Sequence, residues 1–168
     1  MKRKIQITLI GDNIEIDLNN RIAYEIGKFI AAKGWILITG GRGGVMSAAS
    51  RGAFENGGIV ISVLPGDSIN SGTPYATATI ATGIGYARNS VNALSGDIVV
   101  AIGGGAGTLT EMAYAWAYNK PIIACSMAIG WSKLLAGKAI DNKRNDKIEK
   151  AKSIEEVKRL LEYYAKKL

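Results

Sequence analysis

The sequence predicts a three-layer α/β fold, a doubly wound parallel sheet with helices on both faces. Three observations predict it. Short runs of branched apolar residues alternate with helical stretches of roughly 10–15 residues, the pattern of right-handed βαβ units. Runs such as Trp35 to Thr39 are apolar almost throughout, as strands covered on both faces must be. Glycine clusters fall where strands end.

The elements follow in order. Lys4 to Ile10 alternates Ile5, Ile7 and Leu9 and reads as the first strand. Asn19 to Lys33 is helical, with Ile22, Ile26, Phe29 and Ile30 on one face and Gly34 as its stop. Trp35 to Thr39 is the second strand. Gly44 to Asn56 is a helix of small residues (Ser47, Ala48, Ala49, Ala53) suited to close packing on the sheet. Ile59 to Leu64 is the third strand, and an irregular Ser-, Asn- and Gly-rich loop runs from Asp67 to Pro74. Thr77 to Ala81 is a fourth strand, Tyr86 to Leu94 a helix, and Asp97 to Ile102 the fifth strand. Thr108 to Tyr118 is a helix, Pro121 to Ser126 a sixth strand, and Trp131 to Leu135 a short helix. In the last helix Ser153 and Glu156 form an S-x-x-E capping box ahead of the stripe Ile154, Val157, Leu160, Leu161 and Tyr164.

With 168 residues, the chain is expected to form one domain, 1–168, including a basic segment at 138–152 and the C-terminal helix at 153–166. A domain of that size buries roughly 70% of its unfolded surface. The net charge is +7, with basic residues gathered at Lys2-Arg3-Lys4 and from Lys138 to Lys167. Such a distribution serves phosphate-bearing partners or simply a solvated face. No aromatic stripe accompanies the lysines, so nucleic acid is not an expected partner. Lys2-Arg3-Lys4 before Ile5 to Ile10 superficially imitates a signal peptide, but the apolar stretch alternates and stops at Gly11-Asp12. No apolar run reaches the roughly 18 residues of a membrane span. A lone cysteine, Cys125 in an apolar strand, suits a core position and a reducing cytoplasm. Histidine is absent, which removes the commonest acid–base group and metal ligand. No metal site and no required cofactor are expected.

Ligands of such sheets bind beyond the carboxyl ends of the strands. Two glycine loops lie there: Gly40-Gly41-Arg42-Gly43-Gly44-Val45-Met46, and Gly103-Gly104-Gly105-Ala106-Gly107-Thr108 leading to Glu111. Glycine lets backbone N–H groups approach a ligand, and a helix N-terminus favours negative charge. Both loops therefore read as phosphate cradles, with a flexible turn as the plain alternative for the first. Gly11-Asp12 and the turn from Thr82 to Arg88 share their end of the sheet. No Walker loop is present, and the neutral end of the second strand argues against a dinucleotide. Arg88 is either a phosphate clamp or an exposed helix arginine. Glu111 is either a carboxylate aimed at the ligand or the acid of a T-x-x-E cap with Thr108. Tyr114 and Tyr118 lie off the face of Leu109, Met112 and Trp116. That second face packs against another subunit or under the C-terminal helix.

The run Gly104-Gly105-Ala106-Gly107-Thr108-Leu109-Thr110-Glu111 matches the GG-x-GT-x-x-E of the "lonely guy" proteins, and the Gly40–Met46 loop resembles their earlier glycine loop. Those proteins are phosphoribohydrolases of a superfamily also labelled possible lysine decarboxylases. The resemblance spans Ile5 to Ser126. It implies a Rossmann-like nucleotide-binding domain, usually a homodimer or higher homo-oligomer. It also implies a catalytic pair at Arg88 and Glu111 that would cleave the N-glycosidic bond of a nucleoside 5′-monophosphate such as AMP. Implied ligand contacts are Gly11, Asp12, Gly40, Gly41, Gly43, Gly44, Val45, Met46, Arg88, Asn89, Gly104, Gly105, Gly107 and Thr108. The backbone N–H groups of Gly43 to Val45 and of Gly105 to Thr108 would hold phosphate oxygens.

The stretch Thr82-Gly83-Ile84-Gly85-Tyr86-Ala87-Arg88-Asn89 is closer to a shorter branch of the superfamily. That branch includes proteins resembling the algal molybdenum-cofactor carrier, which bind a pterin phosphate without turning it over. Three departures weaken the case for catalysis, the first being Thr39 at the first glycine of the earlier loop. Asn89 stands where the hydrolases have lysine, and Gly103 where they usually have proline. A non-catalytic carrier of molybdenum cofactor or nucleotide is therefore the alternative expectation.

Overall fold

A computed structural model describes residues 3–168. Lys2, part of the N-terminal basic cluster, lies outside the described residues. The elements are β1 (Gln6–Gly11), α1 (Asp17–Ala32), β2 (Ile36–Thr39), α2 (Gly44–Phe54), β3 (Ile59–Leu64), β4 (Ala78–Ala81), α3 (Arg88–Ser95), β5 (Ile98–Ile102), α4 (Ala106–Ala117), β6 (Ile122–Cys125), α5 (Trp131–Leu135), β7 (Glu149–Ala151) and α6 (Ile154–Ala165). Short 3₁₀ turns occupy Ile69–Ser71 and Gly85–Ala87.

The seven strands form one sheet in the order β4-β3-β2-β1-β5-β6-β7, and every neighbouring pair is parallel. This is an α/β, Rossmann-like fold. The chain begins at the centre, winds outward to β4, then crosses back to lay β5 against the other side of β1. The winding reverses between β1 and β5, where Ile10 pairs with Ala101 and Gly11 with Ile102. Connections diverge there, one above the sheet and one below, and leave a crevice at the strands' carboxyl ends.

Side chains alternate between two cores, as the two-residue strand period requires. Ile7, Leu9, Val100, Ile102, Ile123 and Cys125 face α1, α2 and α6. Ile10, Val99, Ala101, Ile122 and Ala124 face α3 and α4 through Ala93, Met112, Ala115 and Trp116. The small residues of α2 let it approach α1 as well as the sheet. Gly27 lies against the Ala49 carbonyl, and Gly52 against the Tyr24 carbonyl. At the amino end of the sheet, Arg3 donates a fork of two 2.7 Å hydrogen bonds to the Asp97 carboxylate, which also accepts from the Gln6 N–H at 2.9 Å.

The charged segment 138–152 holds an element the hydrophobic pattern does not announce. Glu149–Ala151 adds to β6 as an edge strand. Its loop is pinned by Arg144, which stacks on Trp116 at 4.3 Å and donates to the Trp116 and Lys120 carbonyls. Half of the expected α6 capping box forms: Ser153 Oγ accepts from the Glu156 N–H at 3.2 Å, while Glu156 Oε2 accepts from the Lys152 N–H at 2.7 Å instead of that of Ser153. Among the described residues no helix is long and apolar enough to cross a membrane.

Candidate functional site

A cavity of about 440 Å³ opens at the carboxyl end of the sheet, beside the crevice between β1 and β5. That size suits a small molecule, for which pockets run roughly 300–1,000 Å³. Of the residues expected there, Gly11, Asp12, Met46, Arg88, Asn89, Gly105, Gly107, Thr108 and Glu111 line it. Gly40, Gly41, Gly43, Gly44, Val45 and Gly104 do not. Asn13, Ile14, Arg42, Pro65, Gly85 and Tyr86 line it without having been anticipated. Arg42, a cation inside a glycine loop, carried the clearest overlooked signal. Tyr86, an aromatic residue between Gly85 and Arg88, carried another.

The two glycine loops behave differently. The first is closed by the chain itself. The N–H groups of Gly43, Gly44 and Val45 donate to Asn13 Oδ1 (3.3 Å), Glu15 Oε1 (3.1 Å) and the Asp12 carbonyl (3.0 Å). The expected phosphate role of these three groups therefore does not match the geometry, because the β1–α1 loop already supplies their acceptors. Gly40 serves in another way. A Cβ there would collide with Arg88 Nη1 and come within 2.7 Å of Met46 Sδ, so its bareness makes room for the guanidinium.

The second loop is open. Gly104 N–H donates to Asp12 Oδ2 at 3.0 Å, and Gly103 N–H to Ser132 Oγ at 2.8 Å. Gly103 has φ +66°, which proline cannot adopt, so the departure from the hydrolase pattern is built into this turn. Beyond it, the N–H groups of Gly105, Ala106, Gly107 and Thr108 have no acceptor among the described residues. They are the free first turn of α4, with its positive dipole end.

The helix begins at Ala106, with Gly105 as its N-cap. Thr108 is thus the third helical residue and Glu111 the sixth, in the second turn. The capping-box reading of Thr108 and Glu111 fails on this register. Glu111 is 7% exposed and accepts one hydrogen bond, from Asn92 Nδ2 at 2.6 Å. Burial pushes its carboxyl up to about 7, against the smaller opposing pulls of Asn92 and the Arg88 charge.

Arg88 is not an exposed helix arginine either. It is 6% exposed, and its Nε and Nη1 have no hydrogen-bond partner. Burial lowers its pKa, Glu111 opposes that shift, and Arg42 adds to it. Among the described residues no carboxylate lies within 4.0 Å of the guanidinium. A buried cation lacking its hydrogen bonds is costly. Nε and Nη1 are themselves enclosed, while the side chain as a whole borders the cavity with its charge.

Asn89 and Asn92 sit one turn apart on the face of α3 that meets α4. Asn89 donates to Thr110 Oγ1 at 2.9 Å and to the Gly107 carbonyl at 3.4 Å, clipping the first turn of α4 in place. The position that bears lysine in the hydrolases is here a neutral brace. Cys125 lies in β6, fully buried, with its thiol pushed up to about 12 by burial. No cluster of metal-ligating side chains occurs among the described residues.

The chain is 42% identical over 120 residues to an uncharacterized protein of Archaeoglobus fulgidus, covering 70% of this chain and 78% of that protein. Among solved structures it is similar to the molybdenum cofactor binding protein of the phototrophic bacterium Rippkaea orientalis. There the TM-score is 0.87 at 35% identity, with 98% of this chain and 99% of that chain covered. It is also similar to the molybdenum cofactor carrier protein of Chlamydomonas reinhardtii, with TM-score 0.82, 33% identity and 98% and 99% coverage. The two solved structures share this chain's Rossmann-like architecture. A family model matches residues 4–158, and the chain belongs to the SLOG cluster4 family.

Proposed function

We propose that this protein binds a small phosphorylated heterocycle, of the pterin-phosphate class, and carries it without turnover. The observation that carries this reading is the meeting of four free N–H groups at the start of α4 with the unpartnered Arg88 guanidinium in one cavity. A phosphate would accept from the N–H groups and offset the Arg88 charge. Phosphate oxygens would take the N–H groups of Gly105 to Thr108, and Arg88 and Arg42 would neutralise the charge. The chain's means of holding molybdenum cofactor are directed at phosphate and ring rather than at the metal. Histidine is absent and Cys125 does not line the cavity.

Carriage rather than hydrolysis is supported by Asn89, which is committed to bracing α4 and brings no second cation to the reacting centre. The two named molybdenum-cofactor proteins to which the chain is similar point the same way. The juxtaposition of Arg88 and Glu111 supports the second reading, a nucleoside 5′-monophosphate phosphoribohydrolase. There Glu111 would stabilise positive charge developing on ribose and Arg88 would position the substrate. A thermal-shift panel of AMP, other mononucleotides and molybdenum cofactor, with chromatography for released base, separates the two. Carriage predicts a shift with molybdenum cofactor and no base release from AMP. Measurable base release accompanying a strong AMP shift overturns it. Arg88→Ala is expected to weaken the bound ligand about 100-fold, in line with loss of hydrogen bonds to a charged group.

The protein is further proposed to be a homodimer in the cytoplasm. Tyr114 and Tyr118, 39% and 61% exposed, give α4 an apolar surface turned away from its own core. Light scattering on the purified chain tests the mass.

A further inference from the structure

We infer that Tyr86 is the residue that reads the ligand's ring, lying over its flat face at the mouth of the cavity. The inference rests on the phosphate-binding reading of the site and names what recognises the other end of the ligand.

Tyr86 is 83% exposed, yet it lines the cavity. Ile14, 65% exposed, is also a lining residue. Large apolar side chains left this open at the rim of a concave site have not found their contact within the fold. Deeper in, the lining carries Asp12, Arg88, Asn89, Thr108 and Glu111, beside the buried Met46. The site thus has a charged floor and an apolar lip. A ligand with a charged phosphate and a flat heterocycle has the same two-ended character. Its phosphate belongs at the floor, by the N–H groups of α4, and its ring at the lip.

The backbone supports this assignment. Tyr86 sits in the 3₁₀ turn Gly85–Ala87, immediately ahead of Arg88. The turn is held to the β3 end by hydrogen bonds from Gly83 N–H to the Gly66 carbonyl and from Gly85 N–H to the Pro65 carbonyl, both 2.9 Å. One anchored segment therefore presents a cation to the floor and an aromatic ring to the lip, two residues apart. An aromatic face accepts any planar heterocycle, so the contact selects for ring-bearing ligands over bare sugar phosphates.

The test measures dissociation constants by titration calorimetry for GMP, AMP, a pterin monophosphate and ribose 5-phosphate. The proteins are the wild-type chain, Tyr86→Phe and Tyr86→Ala. Tyr86→Ala is expected to weaken the ring-bearing ligand that binds wild type by about ten-fold, the size of a lost ring stack. It should leave ribose 5-phosphate unchanged, and Tyr86→Phe should bind as wild type does. Equal weakening of ribose 5-phosphate, or an unchanged affinity for the ring-bearing ligand, overturns the inference while the phosphate reading stands. A change in oligomeric mass with ligand affinity unaltered also overturns it, by assigning Tyr86 to a subunit contact. Failure of wild type to bind any of the four overturns the phosphate reading, and this inference with it.

Discussion

The loops that follow β2 and β5 are alike in sequence and opposite in use. Each is a glycine cluster between a strand and a helix. In the first, the loop 12–15 folds over the start of α2 and takes three N–H groups. In the second, no acceptor among the described residues takes the first N–H groups of α4, and Arg88 and Glu111 stand buried beside it, Arg88 without hydrogen-bond partners at Nε and Nη1. Glycine content thus marks where a backbone can approach something closely. What it approaches is decided by the neighbouring loop. Unclaimed donors favour an anion, and the second loop has an unbroken run of four, from Gly105 to Thr108.

This contrast can be broken most forcefully at Gly44. It has φ +57°, and a Cβ there would run into the Asp12 and Ile14 carbonyls. Gly44→Ala is expected to destabilise the fold by about 3 kcal/mol or more through backbone strain and overpacking. Urea denaturation should show it. A fully stable variant would mean that the β1–α1 loop does not close the first cradle.

A comparable effect of opposite sign belongs to Glu111. Its carboxyl, shifted from 4.5 to about 7 by burial, holds its proton more tightly in the folded chain than in the unfolded one. Near pH 4 both states are protonated and the group is neutral in its effect. As pH rises from 4.5 to about 7 the unfolded chain loses the proton first, so stability falls. Above that window the fold bears the whole cost of a buried carboxylate, roughly 3 kcal/mol. Glu111→Gln is expected to remove this slope and to be more stable than wild type at pH 8. Parallel stability curves for the two proteins from pH 4 to 8 would contradict it.

The smallest effect sharpens the comparison most. A Cβ on Gly105 meets nothing within 4 Å, so Gly105→Ala should cost the fold no more than about 1 kcal/mol as a poorer cap. Its methyl group would nonetheless stand at the free N–H groups, and ligand affinity should fall about ten-fold, the loss of one charge-assisted bond. Gly44→Ala alters stability and Gly105→Ala alters binding. Equal behaviour of the two variants would erase the distinction.

Much of this was legible in the sequence. The strands β1, β2, β3, β5 and β6 stand out because a parallel sheet demands side chains buried on both faces, whereas the edge strand β4 is marked only by its Thr and Ile residues. β7 does not stand out, because Glu149-Lys150-Ala151 is a short edge strand with only Ala151 fully buried. Arg88 and Glu111 were legible as partners by motif, and the structure brings both to one cavity. Of the two readings of Glu111, the capping acid paired with Thr108 fails for a positional reason. Pattern alone starts the helix at Thr108, whereas Gly105 caps it and moves Glu111 inward by a turn. Asn13 and Glu15, which close the first loop, were illegible because their partners lie about 30 residues away, as Asn13 and Gly43 show.

Arg3 and Asp97 fasten β1 to β5 at the end of the sheet remote from the cavity. Between that tie and Gly11 the two strands run in register for five residue pairs, a span of about 17 Å. The arrangement is that of a clothes-peg, with its spring at one end and its jaws at the other. The loops after Gly11 and Ile102 leave from the far ends of fully paired strands, so their shape can change without breaking the ladder between β1 and β5.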